Sequence, residues 1–107
     1  MNPFKGKAAT AVLDLSDRNG KRTGVQYHDT IIVEFTYTTI RLNTGGWYTA
    51  TTKRRMNQVS QEYDLGFHVY QKYGSWWVEP YRYLYPLGTP KNGGAKMPFI
   101  DNMIYRR

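Results

Sequence analysis

The stretch "GGWYTATTKRRMNQ", Gly45 to Gln58, is where one kind of sequence stops and another begins. Before it, "TIIVEFTYTTIRLN" is dominated by β-branched and aromatic residues that alternate by side, the pattern of half-buried strand. Ile31, Val33 and Phe35 share one face. After a short connection near Tyr37, Ile40 and Leu42 share another, opposite Thr39, Arg41 and Asn43. Gly45 and Gly46 then release the chain from the sheet. From Thr51 or Thr52 onward, Met56, Val59 and Tyr63 recur at helical spacing, and Gly66 supplies the left-handed residue that commonly ends a helix. The spacing predicts one amphipathic helix over about residues 52–65.

On either side of that junction the signals are those of hairpins. Upstream, "AATAVLDL" and "TGVQYH" bracket "SDRNGKR", whose Asn19-Gly20 is a tight-turn dipeptide. Downstream, "FHVYQKYGSWWVEP" reads as two strands around a turn at Tyr73-Gly74-Ser75. Prolines, glycines and tyrosines from about residue 80 to 96 predict an extended surface loop, and "PFIDNMIYRR" predicts a last short strand pair around Asp101-Asn102. Strands, one helix, then strands define an α+β domain, a small antiparallel sheet of hairpins with the helix packed on one face. At 107 residues, with no repeat and no dividing linker, residues 1–107 form one expected domain.

Composition removes several function classes. Cysteine is absent, so disulfides, thiolate metal sites and cysteine nucleophiles are all excluded. No apolar run approaches the roughly 18 residues of a membrane span, and "MNPFKGK" lacks the apolar stretch of a signal peptide. The expectation is a soluble, intracellular protein without a membrane partner. A net charge of +7 suits polyanion partners.

The predicted helix is charged against its own dipole. Lys53, Arg54 and Arg55 fall in its first turn, where anions are favoured, and Glu62 and Asp64 in its last, where cations are favoured. Positions three and four beyond the cations offer Met56, Asn57, Gln58 and Val59 and no carboxylate. Free helical N–H groups, the hydroxyls of Thr49, Thr51 and Thr52 and the three cations would converge on an anion such as phosphate. The alternative is a solvated face, or pairing with Asp29, Glu34 or Glu79 of neighbouring strands.

Aromatic residues make up 16% of the chain, ten of them tyrosines. Adjacent strand residues point to opposite faces, so Trp76 and Trp77 cannot enter the same core. An exposed Trp77 with Tyr70, Tyr81 and Tyr83, beside Arg41, Lys72 and Arg82, would form a stacking surface with backbone-tracking cations. The same residue types also make protein interfaces. His28 and His68 could act as an acid and base pair in metal-independent ribonuclease chemistry if they met in space. No ligand-spaced cluster points to a metal, and no nucleotide loop or serine elbow to a cofactor or a nucleophile.

Through "GGWYTATTKRRMNQ", with "YHDT" upstream and "FHVYQKYGSWWVEP" and "PFIDNMI" downstream, the chain resembles small hypothetical proteins of tailed bacteriophages, particularly marine ones. The matching blocks span most of residues 27 to 79 and the end of the chain. The resemblance implies phage origin, with residence in the host cytoplasm or the virion, and carries over no catalytic residue. The expected function is therefore a non-enzymatic nucleic-acid-binding accessory protein. Its cations would be Lys53, Arg54, Arg55 and Arg41, with Trp77 and the tyrosines stacking. The alternative is a protein-interaction module, as a virion component or an inhibitor of a host protein.

Overall fold

A four-stranded meander, a returning strand and a short edge strand build the larger of two sheets. In the computed structural model, which describes residues 9–87 and 96–107, β1 (Thr10–Asp14), β2 (Thr23–Tyr27), β3 (Thr30–Phe35) and β4 (Thr39–Leu42) pair in sequence, all antiparallel. The helix α1 (Ala50–Glu62) follows, then β5 (Phe67–Lys72), β6 (Ser75–Pro80), β7 (Tyr85–Pro86), β8 (Met97–Pro98) and β9 (Met103–Arg106). The six-stranded sheet has the order β1-β2-β3-β4-β9-β7, and β5-β6-β8 form a second sheet. The helix packs on β5 of the small sheet and on β2 and β3 of the large one. This is the α+β arrangement of antiparallel sheet and single helix that the element order predicts.

Two expectations near the end of the chain change. Asp101 and Asn102 do turn between two short strands, with Met103 N–H on Ile100 O at 3.0 Å, but β8 pairs with β6 and β9 with β4 and β7, so the two are not a pair. Asn102 takes a left-handed φ of 69° and donates its N–H to Leu42 O at 2.8 Å, which launches β9 along the open edge of β4. Part of the expected loop is also ordered, because Tyr85 and Pro86 pair with Arg106 and Tyr105 of β9. The rest of that loop, residues 88–95, lies outside the described residues.

The core joins Val25, Ile32, Val33, Ile40 and Leu42 of the large sheet to Phe67, Val69, Trp76 and Val78 of the small one, with Met56 and Val59 between. Ile32 is buried where alternation places Ile31. The register slips between Val25↔Val33 and Gln26↔Ile31, so Ile32 is an extra residue on β3. A bulge turns two successive side chains the same way, which brings both Ile32 and Val33 inside and leaves Ile31 half-exposed.

Burying Met56 and Val59 stabilises by about 1.5–3 kcal/mol each, enough to outweigh an unfavourable dipole arrangement of about 0.3–1 kcal/mol per charge. The left-handed residue that terminates the helix is Asp64, just past the Tyr63 cap, in place of Gly66. Asp64 adopts φ 55°, and Leu65 N–H returns to Ser60 O at 2.9 Å, closing a Schellman turn that a glycine usually makes.

Along its side, α1 takes the place of a neighbouring strand at the edge of β5. Asn57 donates Nδ2–H to Val69 O and accepts Val69 N–H, both at 2.8 Å. Ser60 Oγ donates to Phe67 O at 2.7 Å and accepts Phe67 N–H at 3.0 Å. The free edge of the small sheet is thus closed by two helical side chains, which fixes the inner and outer faces of that sheet.

Candidate nucleic-acid interface

The helix begins at Ala50, because Thr49 stands in extended geometry and its side chain accepts Thr52 N–H at 3.2 Å. The loop before it is pinned from the far end of the chain. Asp101 accepts the N–H of Thr44 at 2.7 Å and its hydroxyl at 2.8 and 3.0 Å. With the start moved back two residues from 52, Lys53 is the fourth helical position and Arg54 and Arg55 lie in the second turn.

The cations of the opening stretch then go three ways. Lys53 Nζ donates to Gln71 Oε1 at 3.2 Å and sits 5.3 Å from the Trp76 ring centre, a cation–π contact. Arg54 is exposed. Arg55 turns inward, only 9% exposed, with Nε on Thr10 Oγ1 at 3.2 Å and one terminal nitrogen on Gln58 Oε1 at 3.0 Å. Thr52 is fully buried and Thr51 half-buried. Arg41 lies on β4, where it and Arg22 both bind Glu34, at 3.1 and 3.2 Å. The third ion pair among the described residues joins Arg82 to Asp64, so no carboxylate pairs with Lys53, Arg54 or Arg55.

The small sheet divides the aromatic residues by side. Its inner face carries Trp76, 8% exposed and edge-on to Tyr48 and Phe99 with ring centres 5.0 and 5.5 Å away. Trp77 lies on the other face, paired with Tyr70 across the β5–β6 ladder and with Pro98 across β6–β8. The helix-start lysine therefore stands on the side of Trp76, away from Trp77. The two halves of the expected site, the helix cations and the Trp77 stack, occupy opposite faces.

The outer face is nevertheless a coherent surface. Tyr70, Lys72, Tyr73, Ser75, Trp77 and Lys96 line a shallow groove of about 260 Å³. The rings of Tyr70 and His68 lie 5.9 Å apart at 15°. Lys72 Nζ is 5.5 Å from the Tyr73 ring centre. Glu79, opposite His68, is the acid at the far end of the face. Tyr73 and Gly74 form the two-residue hairpin turn with φ 52° and 78°, the geometry that favours Asn-Gly. Tyr73 holds this left-handed conformation with its side chain 95% exposed.

Tyr81 and Tyr83 are also exposed, after β6. Tyr81 turns back toward the helix, its hydroxyl 3.3 Å from Ser60 Oγ. His28, in the β2–β3 turn, packs against Tyr27 with the rings tilted by 58°, and His68 stacks on Tyr70, so the two histidines belong to different sheets. The sequence marks Tyr73 as a turn residue and Lys96 as the end of a loop, and neither was among the expected site residues, though a tyrosine in a Tyr-Gly hairpin turn was the available signal. Trp47, 59% exposed beside the helix cap, was also outside the expected site.

Among the described residues no group of three or more His, Asp or Glu could hold a metal, and no helix is long and apolar enough to cross a membrane. Fold and surface together define a small basic α+β domain with an aromatic sheet face. The chain belongs to the Kyanoviridae Gp96 protein family, a phage protein family whose model matches residues 2–106. No curated protein and no solved structure matches it.

Proposed function

We propose that this phage protein is a non-enzymatic accessory protein that binds single-stranded nucleic acid on the outer face of β5-β6-β8. Bases stack on Tyr70, Trp77 and Tyr73, and Lys72 and Lys96 track the backbone. The observation that carries the reading is Tyr73. A bulky aromatic in a left-handed turn position sacrifices local stability and buries almost nothing, which is the mark of a residue placed for what it presents to solvent. The basic excess supports a polyanionic partner. Arg54 adds long-range attraction without a direct contact.

Fluorescence anisotropy with labelled DNA and RNA oligonucleotides tests this. Trp77→Ala should weaken binding by about 5–150-fold, the equivalent of one lost stack of about 1–3 kcal/mol. Lys72→Ala with Lys96→Ala should flatten the dependence of log affinity on log salt by roughly 1–1.5 units. Undetectable binding at low salt, or binding indifferent to all three substitutions, would overturn the proposal.

A second reading has its own observation. Trp47, Tyr48 and Ile100 are all exposed by half or more. That is the residue chemistry of a protein-interaction module, as a virion component or an inhibitor of a host protein. Capture of a stoichiometric partner from nuclease-treated infected extract, abolished by Trp47→Ala, would favour it.

A further inference from the structure

A second, smaller concavity lies at the other end of the molecule, where the start of β2, the β3–β4 turn, the end of β9 and the C-terminus of α1 meet. It encloses about 180 Å³ and is lined by Lys21, Thr23, Phe35, Tyr37, Tyr63 and Arg107, together with Thr36. Its floor is aromatic. The Phe35 and Tyr63 rings sit 4.9 Å apart, tilted by 47°, and both pack against the core, so they form a fixed wall. Tyr37, 79% exposed, stands beside the opening.

The rim is cationic: among the described residues no Asp or Glu lines it, and the carboxylate that acts on its wall is Glu62, beside Tyr63. Arg107 donates one terminal N–H to Thr36 O at 2.6 Å. That contact orients the guanidinium and leaves the rest of its five N–H donors for a ligand. Lys21 is exposed at the mouth. The Tyr63 phenol is pushed up by burial and then by the neighbouring Glu62, so it stays neutral and adds no repulsion toward an anion. A polar groove of about 340 Å³ continues from the same opening, sharing Lys21, Thr36 and Tyr37 and adding Asp17, Asn19 and Thr38.

We infer that this pocket binds a nucleoside 5′-phosphate, with the base on the Phe35–Tyr63 wall, the phosphate on Lys21 and Arg107, and the sugar toward the polar groove. An apolar slot of this volume takes one planar ring system, paired cations take one phosphate, and the adjoining hydroxyl, amide and carboxylate groups suit a sugar. The site is separate from the outer face of β5-β6-β8 and does not depend on it. Its ligand comes either as a free mononucleotide or as the 5′-phosphorylated end of a strand.

Two-dimensional NMR titration with separate ligands tests the inference and its source. Adenosine and uridine 5′-monophosphates, the parent nucleosides, inorganic phosphate, and oligonucleotides with 5′-phosphate or 5′-hydroxyl ends are compared. The expected result is saturable shifts of Phe35 and Tyr63 resonances by the mononucleotides, with nucleosides and phosphate alone binding at least about tenfold more weakly. Lys21→Ala with Arg107→Ala should reduce affinity by about tenfold or more while the amide spectrum stays folded. Tighter binding of the 5′-phosphorylated oligonucleotide than of the 5′-hydroxyl one would assign the strand end. Equal binding of the two oligonucleotides, both weaker than the mononucleotide, would assign the free nucleotide. The inference is overturned if no phosphorylated ligand shifts these residues, or if the double variant binds as well as the parent chain.

Discussion

Asn57 and Val69 hold each other twice, Nδ2–H to Val69 O and Val69 N–H to Oδ1, each at 2.8 Å. A helical amide side chain thereby satisfies a strand's peptide group on the edge where another strand would sit. Asn57→Ala would leave both backbone groups of a buried residue without protein partners. A loss of about 2–4 kcal/mol is expected in urea denaturation. The opened edge of β5 should also raise self-association, read by light scattering of the variant against the parent chain.

Tyr73 sets stability against presentation. Tyr73→Asn places in the left-handed turn position a residue that tolerates it, and should raise unfolding free energy by up to ~1 kcal/mol. The same substitution should weaken oligonucleotide binding. A variant that is both more stable and an undiminished binder would remove Tyr73 from the proposed surface.

Tyr105 is fully buried, and its hydroxyl has no hydrogen-bond partner among the described residues. Burial pushes its phenol up to about 12. In the unfolded chain the phenol ionises near pH 10, so between about pH 10 and 12 the unfolded state binds fewer protons than the folded one. The stabilisation is complete below pH 10 and is lost as pH rises toward 12, by at most about 1.4 kcal/mol per pH unit. Tyr105→Phe should flatten that alkaline loss, and at pH 7 should leave the protein as stable or about 1 kcal/mol more so, since an unpaired buried hydroxyl is removed. Denaturation curves at pH 7, 10 and 11 check both effects.

Gly45 has φ 64°, and a Cβ there would lie 2.3 Å from Thr30 Oγ1. Gly45→Ala should cost at least about 1–2 kcal/mol from backbone strain alone. Adding Thr30→Ala should recover the steric part and leave the strain. Full recovery in the double variant would show that the left-handed conformation is not required.

Arg54 and Arg55 separate the two positions that the sequence treats alike. Arg55→Met exchanges a buried cation lacking a carboxylate for an apolar side chain of similar length, and thermal unfolding should show little change or a gain. Oligonucleotide affinity at moderate salt should move little for either Arg54→Ala or Arg55→Met, and much more for the Lys72 and Lys96 pair. A large loss on Arg54→Ala would return the interface to the helix start.

The hairpins, the switch from strand to helix after Gly46 and the opposition of Trp76 to Trp77 were legible because each is written in neighbouring residues. Turn chemistry and side-chain period act over a few positions, and no distant contact is needed to set them. The helix start was off by two residues because the cap at Thr49 depends on a loop that Asp101 pins from the other end of the chain. Ile32 entered the core through a bulge, which alternation cannot signal.

Which of Trp76 and Trp77 enters the core was decided by tertiary structure. Asn57 and Ser60 dock the helix on the edge of β5, and that docking places Trp76 and Lys53 on the inner side and Trp77 with Tyr70 on the outer. The same packing turned Arg55 inward while leaving Arg54 in water. Local sequence established that there would be two faces and three cations. Long-range packing chose among them, because burial free energy depends on what covers a residue and not on its neighbours in the chain.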